Sequence, residues 1–459
     1  MAEARTRKPR ERGLPRGPQA LPREEVAAHQ RERLFTAMIE AVNDRGFVAM
    51  TISDLVTRAG VSRRSFYEHF ENKEECLLAT YDSLIEALIA RIAANFPPEA
   101  PWREQIESVV RSLFDAAGEQ PDAARLVSVE MGAAGPVGIE RWARNAEQLA
   151  HFIGAVFEQA PGEGSVPEPV ARAIVGGLRA ILYKRVGRGR SSKALRSELQ
   201  KLIPDLVGWI ATYYPSPPSL PMRPKPRRGA HLQGGRAPGS FSPSPRWAQR
   251  GLPRGEHNLP KGFVAHNQRE RIFDAVANLT ATKGYAALSL EDIVAEAAIS
   301  LQTFYEHFEN KDEAFLAAFE MAHSKAMAAI NRSLNLRLSW AQNVRLGVNA
   351  LLDFIASEPA AAKLACVDIM IAYPHMTGRV NEANFSYLEL LDIGDAGNYP
   401  NMPPQIVREA IVGGIFELMH DYILQGRTEH LPELSDHVMY FLVAPFAGGE
   451  IAAQAVAET

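Results

Sequence analysis

The chain is a duplication. RGLPRG at Arg12–Gly17 returns at Arg250–Gly255, 238 positions later. With the same shift, FYEHFENK at Phe66–Lys73 returns at Phe304–Lys311, and QRERLF at Gln30–Phe35 returns as QRERIF at Gln268–Phe273. Further on, PDAARLVSVE from Pro121 aligns with PAAAKLACVD from Pro359. A one-residue deletion then brings RAIVGGL (Arg172–Leu178) onto EAIVGGI (Glu409–Ile415). Each copy is roughly 200 residues, one domain-sized unit and far longer than the ~20 to 50 residues of a solenoid repeat. Two copies of one fold must therefore be accommodated.

What separates the copies is a Pro-, Gly- and Ser-rich stretch from Pro215 to Gly251, which cannot bury enough apolar surface to fold and reads as linker. Residues 1–23 read the same way. Both segments are basic. Residues 1–23 hold seven Lys/Arg against Glu3 and Glu11, net +5, and residues 222–261 hold nine against Glu256, net +8. The whole chain is −4, so everything else totals −17. Positive charge is thus gathered just ahead of each folded unit, where it suits either solvation or contact with phosphates. Two cysteines, Cys76 and Cys366, have no Cys or His at metal spacing, so reduced thiols and a cytoplasmic location are expected, with no metal. No apolar run reaches the ~18 to 20 residues that span a bilayer, and the basic N-terminus lacks the apolar segment of a secretory signal.

Each unit opens with the same series of helix signals. Leu34, Phe35, Met38, Ile39 and Val42 mark one face of a first helix, which Gly46 ends. Thr51-Ile-Ser-Asp54 is a capping-box-like start for a short second helix. Ala59-Gly60-Val61 makes a tight turn, Ser62 caps a third helix running to about Phe70, and Asn72-Lys73-Glu74-Glu75 starts a longer fourth. Gly284, Ser289–Asp292, Ile299-Ser300 and Asn310–Glu313 repeat these signals. Two short helices joined by a tight turn within ~20 residues make a helix-turn-helix.

The order Thr51, Leu55, Ala59-Gly60-Val61-Ser62, Phe66-Tyr67, His69-Phe70, Lys73-Glu74 and Leu77 resembles the TetR family of transcription regulators. Ser289, Ile293, Ala297, Ile299-Ser300, Phe304-Tyr305, His307-Phe308, Lys311 and Phe315 carry the same resemblance in the second unit. It spans about 50 residues per unit. Two departures stand out. Arg64 and Gln302 occupy a position where the family commonly has a small residue or proline, and Ala298 replaces the turn glycine, where positive φ strains a non-glycine residue.

The resemblance implies a third helix that enters the ~12 Å major groove by its N-terminal end. There Arg63, Arg64 and Ser65 in the first unit, and Leu301, Gln302 and Thr303 in the second, are unlike base-reading sets, preceded by the caps Ser62 and Ser300. Tyr67 and Tyr305 correspond to the family's phosphate-contacting tyrosine, and Lys73 and Lys311 sit where a helix N-terminus also favours phosphate. Thr51 and Ser289 cap the second helix and lie near enough to touch phosphate; His69 and His307 either contact phosphate or pack helices. Phe66, Phe70, Phe304 and Phe308 read as core.

The rest of each unit, Pro97–Tyr214 and Leu338–Gly448, has helical spacing and almost no strand-like alternation, so the fold class is all-α with about nine helices per unit. The resemblance implies a helical bundle that binds a small ligand and dimerises through its last two helices. Here these are Pro167–Gly187 and Ser192–Tyr213, with Pro404–Gln425 and Leu431–Phe446 as their counterparts. Gly176-Gly177 and Gly413-Gly414 suit either close approach at that interface or internal packing. Pocket candidates are Trp102, Phe114, Met131 and Phe152, then Trp340, Phe354, Met370 and Tyr387. The layout is a basic disordered arm (1–23), a helix-turn-helix domain (24–72), a regulatory domain (73–214), a linker (215–261), a second helix-turn-helix (262–310), a second regulatory domain (311–448) and a tail (449–459).

The expected partners are a double-stranded DNA operator and a small apolar effector, in a pseudo-dimer within the chain or a homodimer, and no cofactor. No Gly-rich phosphate loop, metal-spaced cluster or nucleophile elbow suggests an enzyme; GRGR at Gly187–Arg190 is a basic inter-helix loop. The alternative is that only the first unit binds DNA and the second serves dimerisation or sensing.

Overall fold

A computed structural model describes residues 22–160, 166–186, 191–214, 260–335, 337–372 and 402–457, with Ala383, Ser386 and Tyr387. The basic arm and the linker fall outside the described residues, but for the last two positions of each. Every described element is helical or turn, as the sequence periodicity predicts.

The first unit runs α1 (Arg23–Arg45), α2 (Ile52–Ala59), α3 (Arg63–His69), α4 (Lys73–Asn95), α5 (Trp102–Glu119), α6 (Pro121–Arg125), α7 (Pro136–Glu158), α8 (Glu168–Arg185) and α9 (Ser192–Ala211). The second has α10 (Lys261–Lys283), α11 (Leu290–Glu296), α12 (Leu301–Tyr305), α13 (Lys311–Ser333), α14 (Trp340–Ser357), α15 (Pro359–Lys363), α16 (Ile369–Ala372), α17 (Gln405–Leu424), α18 (Ser435–Ala447) and α19 (Gly449–Ala457).

Local chemistry explains the boundaries. Thr51 forms a full capping box with Asp54, and Ser62 and Asn72 accept the N–H three residues on. Ser289, Ser300 and Asn310 do the same in the second unit. Gly60 makes the α2–α3 turn at φ +59°, and Ala298 is held at φ +49° in the same place. That is the left-handed region a side chain disfavours, as the missing glycine predicts. A guanidinium from the first helix of each unit props its turn: Arg33 of α1 donates to the Gly60 carbonyl at 3.0 Å and Arg271 of α10 to that of Ala298 at 2.7 Å.

Two differences from the sequence expectations concern the C-terminal part. The last long helix begins at Ser435 rather than Leu431, because a 3-10 segment containing Pro432 fills Thr428–Leu434. The stretch expected as a tail is instead helix α19, with Ala452 and Val456 buried, and Arg345 donates to the carbonyls of Ala455 and Val456.

Among the described residues, apolar burial divides into three cores. Leu34, Met38, Leu55, Phe66, Leu77 and Tyr81 belong to the core of the first helix-turn-helix, while Ile272, Ile293, Phe304 and Phe315 belong to that of the second. The third core is continuous across both units, running from Phe114 and Trp209 to Phe441 and Phe446. Its centre is the crossing of α8 with α17, the most extensive pairing among the described helices. A Cβ on Gly177 would lie 2.6 Å from the Ala410 carbonyl oxygen, and one on Gly414 would collide with that of Ala173. Glycine is therefore required at both places for the helices to touch. Beside the crossing, the rings of Tyr213 and Phe441 stack at 5.3 Å, and Tyr213 donates to the Phe441 carbonyl at 3.0 Å.

Candidate nucleic-acid interface

The third helices α3 and α12 present their N-terminal side chains to solvent. Arg63, Arg64 and Tyr67 are exposed in the first unit, as are Leu301, Gln302 and Tyr305 in the second; Ser65 and Thr303 are half-buried. Tyr67 is 49% and Tyr305 54% accessible, although each ring stands edge-on to a fully buried phenylalanine, Phe66 or Phe304. Leu301 is 48% accessible, an apolar side chain left in water. The helices are anchored beneath by Phe66, Phe70, Phe304 and Phe308, so the exposed side chains ride on a rigid base.

The two arginines differ in freedom. Arg64 forms an i,i+4 bridge to Glu68 at 3.0 Å, while the Arg63 guanidinium lies 5.9 Å from the Tyr67 ring. Ser62 and Ser300 are exposed but spend their hydroxyl oxygens as acceptors for the N–H groups of Ser65 and Thr303. Thr51 and Ser289 are likewise engaged with Asp54 and Asp292.

Several residues expected from the sequence to contact phosphate have other partners. The Lys73 ammonium donates to the carbonyls of Phe47, Val48 and Met50 at 3.1 to 3.3 Å, and Lys311 donates to the Leu288 carbonyl at 2.8 Å. An ammonium has three N–H donors. Those of Lys73 are used in closing the α1–α2 loop rather than offered outward. His69 sits 3.3 Å from the Gln30 amide oxygen and His307 3.0 Å from that of Gln268, so both pack the third helix against the first. Burial, with the Arg269 charge adding to it, holds the His307 pKa below its usual value.

A contact that sequence reasoning misses joins each reading domain to its bundle. After α6 and after α15 the backbone widens into a π-turn, Leu126–Glu130 and Leu364–Asp368. The Glu130 carboxylate accepts the Phe47 N–H at 3.1 Å, and that of Asp368 accepts the Tyr285 N–H at 3.3 Å. Arg125 pairs with Glu130 at 2.6 Å and Lys363 with Asp368 at 3.3 Å. The only sign in the sequence is a base and an acid five residues apart at matching places in both copies.

The pocket candidates scatter. Trp340 and Tyr387 line an apolar cavity among α13, α14, α17 and α18, and Phe354 and Tyr387 line a neighbouring one. Trp102 packs on Phe157 and Tyr214, Phe152 on Phe96, and Phe114 is fully buried. Met131 belongs to the first helix-turn-helix core, and Met370 packs on the second, because the turn after each π-segment points toward the reading domain instead of the bundle interior.

Among the described residues no group of three His, Cys, Asp or Glu is placed to hold a metal ion, and no helix is long and apolar enough to cross a membrane. Cys76 and Cys366 are free and buried, and burial pushes each thiol up to about 12.

Residues 35–80 and 272–318 both match the family described as bacterial regulatory proteins, tetR family. The chain is 31% identical over 93 residues to the HTH-type transcriptional regulator BetI of Rhizobium meliloti, covering 20% of this chain and 46% of that protein. It is 30% identical over 107 residues to the HTH-type transcriptional activator FasR of Mycolicibacterium smegmatis, covering 23% and 47%. The chain thus spans about half the length of these curated relatives. A TetR-like regulator of Rhodococcus sp. RHA1 superposes with a TM-score of 0.33 at 19% identity, covering 40% of this chain and 96% of that structure.

Proposed function

We propose that this chain, a tandem TetR-type protein, is a sequence-specific DNA-binding transcription regulator with two non-identical reading units. The observation that carries this is the exposed set Arg63, Arg64, Tyr67 on α3 and Leu301, Gln302, Tyr305 on α12, each on a capped helix over a buried aromatic base. Arg suits guanine O6 and N7, Gln suits adenine N6 and N7, and an apolar side chain suits the thymine methyl. Ser65 and Thr303 lie beside them, and the exposed tyrosine hydroxyls suit phosphate. Unlike sets imply an operator whose half-sites differ, the first richer in G·C.

The regulator acts as a repressor by occupying that operator and is released by a small apolar ligand. The ligand site is the cavity of the second unit, lined by Ile330 of α13, Trp340, Val348 and Leu352 of α14, and Met419 of α17. In the first unit bulkier residues stand at equivalent places: Val109 for Gly347, Phe114 for Leu352 and Phe96 for Leu334. Because Lys311 at the start of α13 holds the reading domain's backbone, a ligand that shifts α13 favours a different placement of α12. A second reading, in which only the first unit reads DNA, is favoured by the exposed Leu301 where the first unit has Arg63.

Footprinting at fixed salt with R63A/R64A and with Q302A/T303A separates these. Loss of a bidentate base contact costs about 1 to 3 kcal/mol, roughly 5- to 150-fold in affinity. Losses in both variants support two-unit reading, and a loss in the first alone supports the second reading. Unchanged affinity in both overturns base recognition by these helices.

A further inference from the structure

We propose that the charges along α8 and α17 are a pairing code that joins the first unit only to the second, so that the chain closes on itself. This rests on the fold alone and stands whether or not either unit reads DNA.

The apolar part of the crossing is symmetric. Gly176 meets Glu417 as Gly413 meets Ala180, and Gly177 meets Ala410 as Gly414 meets Ala173. Each contact is the image of its mate under the repeat, since the 237-residue offset of the AIVGG segments carries 176 to 413 and 180 to 417. Shape alone would let two first units or two second units pair equally well.

Charge breaks that equivalence. Arg172 of α8 pairs with Asp421 of α17 at 2.5 Å, and Lys184 pairs with Glu409 at 3.1 Å. The same offset places Arg172 where the second unit has Glu409, and Lys184 where it has Asp421. The two bridges are therefore mates, with every sign inverted between units. Two first units docked this way would set Arg172 against Lys184 twice, and two second units would set Glu409 against Asp421 twice. Arg185, 3.4 Å from Glu409, deepens the bias.

A third bridge acts by omission. Arg179 pairs with Glu417 at 3.0 Å, but their counterparts are Phe416 and Ala180. Any like pairing leaves Arg179 or Glu417 without its opposite. Their side chains are 16% and 6% exposed, and an uncompensated buried charge costs much more than a bridge gains. Glu147 and Glu168 would still face Arg172, yet both are about half exposed and screen it weakly; Arg427, 4.0 Å from Asp421, is likewise about half exposed. Selectivity thus comes from repulsion built against the wrong partner.

The test uses full-length protein. Light scattering of the wild type should give one chain per particle. The reversals R172E/K184E and E409R/D421K should each lower the thermal midpoint, and the four-site exchange should recover part of the loss, because Arg185 stays beside residue 409 and Glu147 and Glu168 beside residue 172. Mixed one to one, the two reversed chains, one acidic and one basic at this face, should form a two-chain complex. If a reversed chain aggregates, the exchange chain decides alone. Failure of the exchange to recover, reversals that melt like wild type, or a two-chain wild type overturns the proposal.

Discussion

The carboxylate of Glu130 accepts the backbone N–H of Phe47 at 3.1 Å, tying the π-turn of the regulatory bundle to the loop that follows α1. Its other oxygen holds Arg125, and the Glu130 side chain is only 2% exposed. Glu130→Ala would leave a buried N–H unpaired and a nearly buried guanidinium without its anion, a loss of about 3 kcal/mol. Glu130→Gln keeps an acceptor for the N–H and should lose less. Urea unfolding of the two variants checks the order, and equal losses would show that the ion pair rather than the N–H contact dominates.

Filling the second-unit cavity should silence the response to a ligand while leaving the reading helices intact. Gly347→Val copies Val109 of the first unit. Its Cβ would come within 3.3 Å of Ile330, a contact the neighbouring side chain can absorb. The expected outcome is a thermal midpoint within a few degrees of wild type, unchanged operator affinity and, where an apolar compound shifts the wild type, loss of that shift. Retained ligand response would place the effector elsewhere.

His420 should make the inter-unit core sensitive to acid. It is buried, its ring edge to face with that of Trp142 at 5.7 Å, and its Nδ1 has no partner among the described residues. Burial, and then the nearby Arg179 charge, lowers its pKa to about 4. Because the folded value lies below the unfolded one of about 6.5, this contribution is complete above pH ~6.5 and lost as pH falls toward 4. The full linkage is on the order of 3 kcal/mol. His420→Gln should flatten the decline in thermal midpoint across that window relative to wild type. Parallel curves for the two proteins would assign the acid sensitivity to other groups.

Features set by neighbours three or four residues apart are legible in the amino-acid sequence. The caps Thr51, Ser62 and Asn72, the glycine stop at Gly46 and the strained turn at Ala298 need only local geometry. The buried phenylalanines are legible for the same reason, since helical spacing fixes their face. What escapes depends on distance along the chain. Glu130 meets Phe47 across 83 residues, and nothing near either residue announces the other. Lys73 resembles a phosphate ligand because a lysine at a helix start usually faces solvent, but three carbonyls fold back onto it. Met131 and Met370 leave the bundle interior because the π-turn redirects the chain by one extra residue. The sign inversion along α8 and α17 is present in the aligned repeats, yet it acquires meaning only from the crossing of the two helices.

The crossing of α8 with α17 within one polypeptide removes a dilution limit. A pair assembled from two separate chains falls apart at low copy number, whereas here the second half is always at hand. It also gives the molecule a front and a back. Where both halves engage DNA, the chain sits on its target in one orientation only, and so distinguishes upstream from downstream in a way that two identical halves cannot.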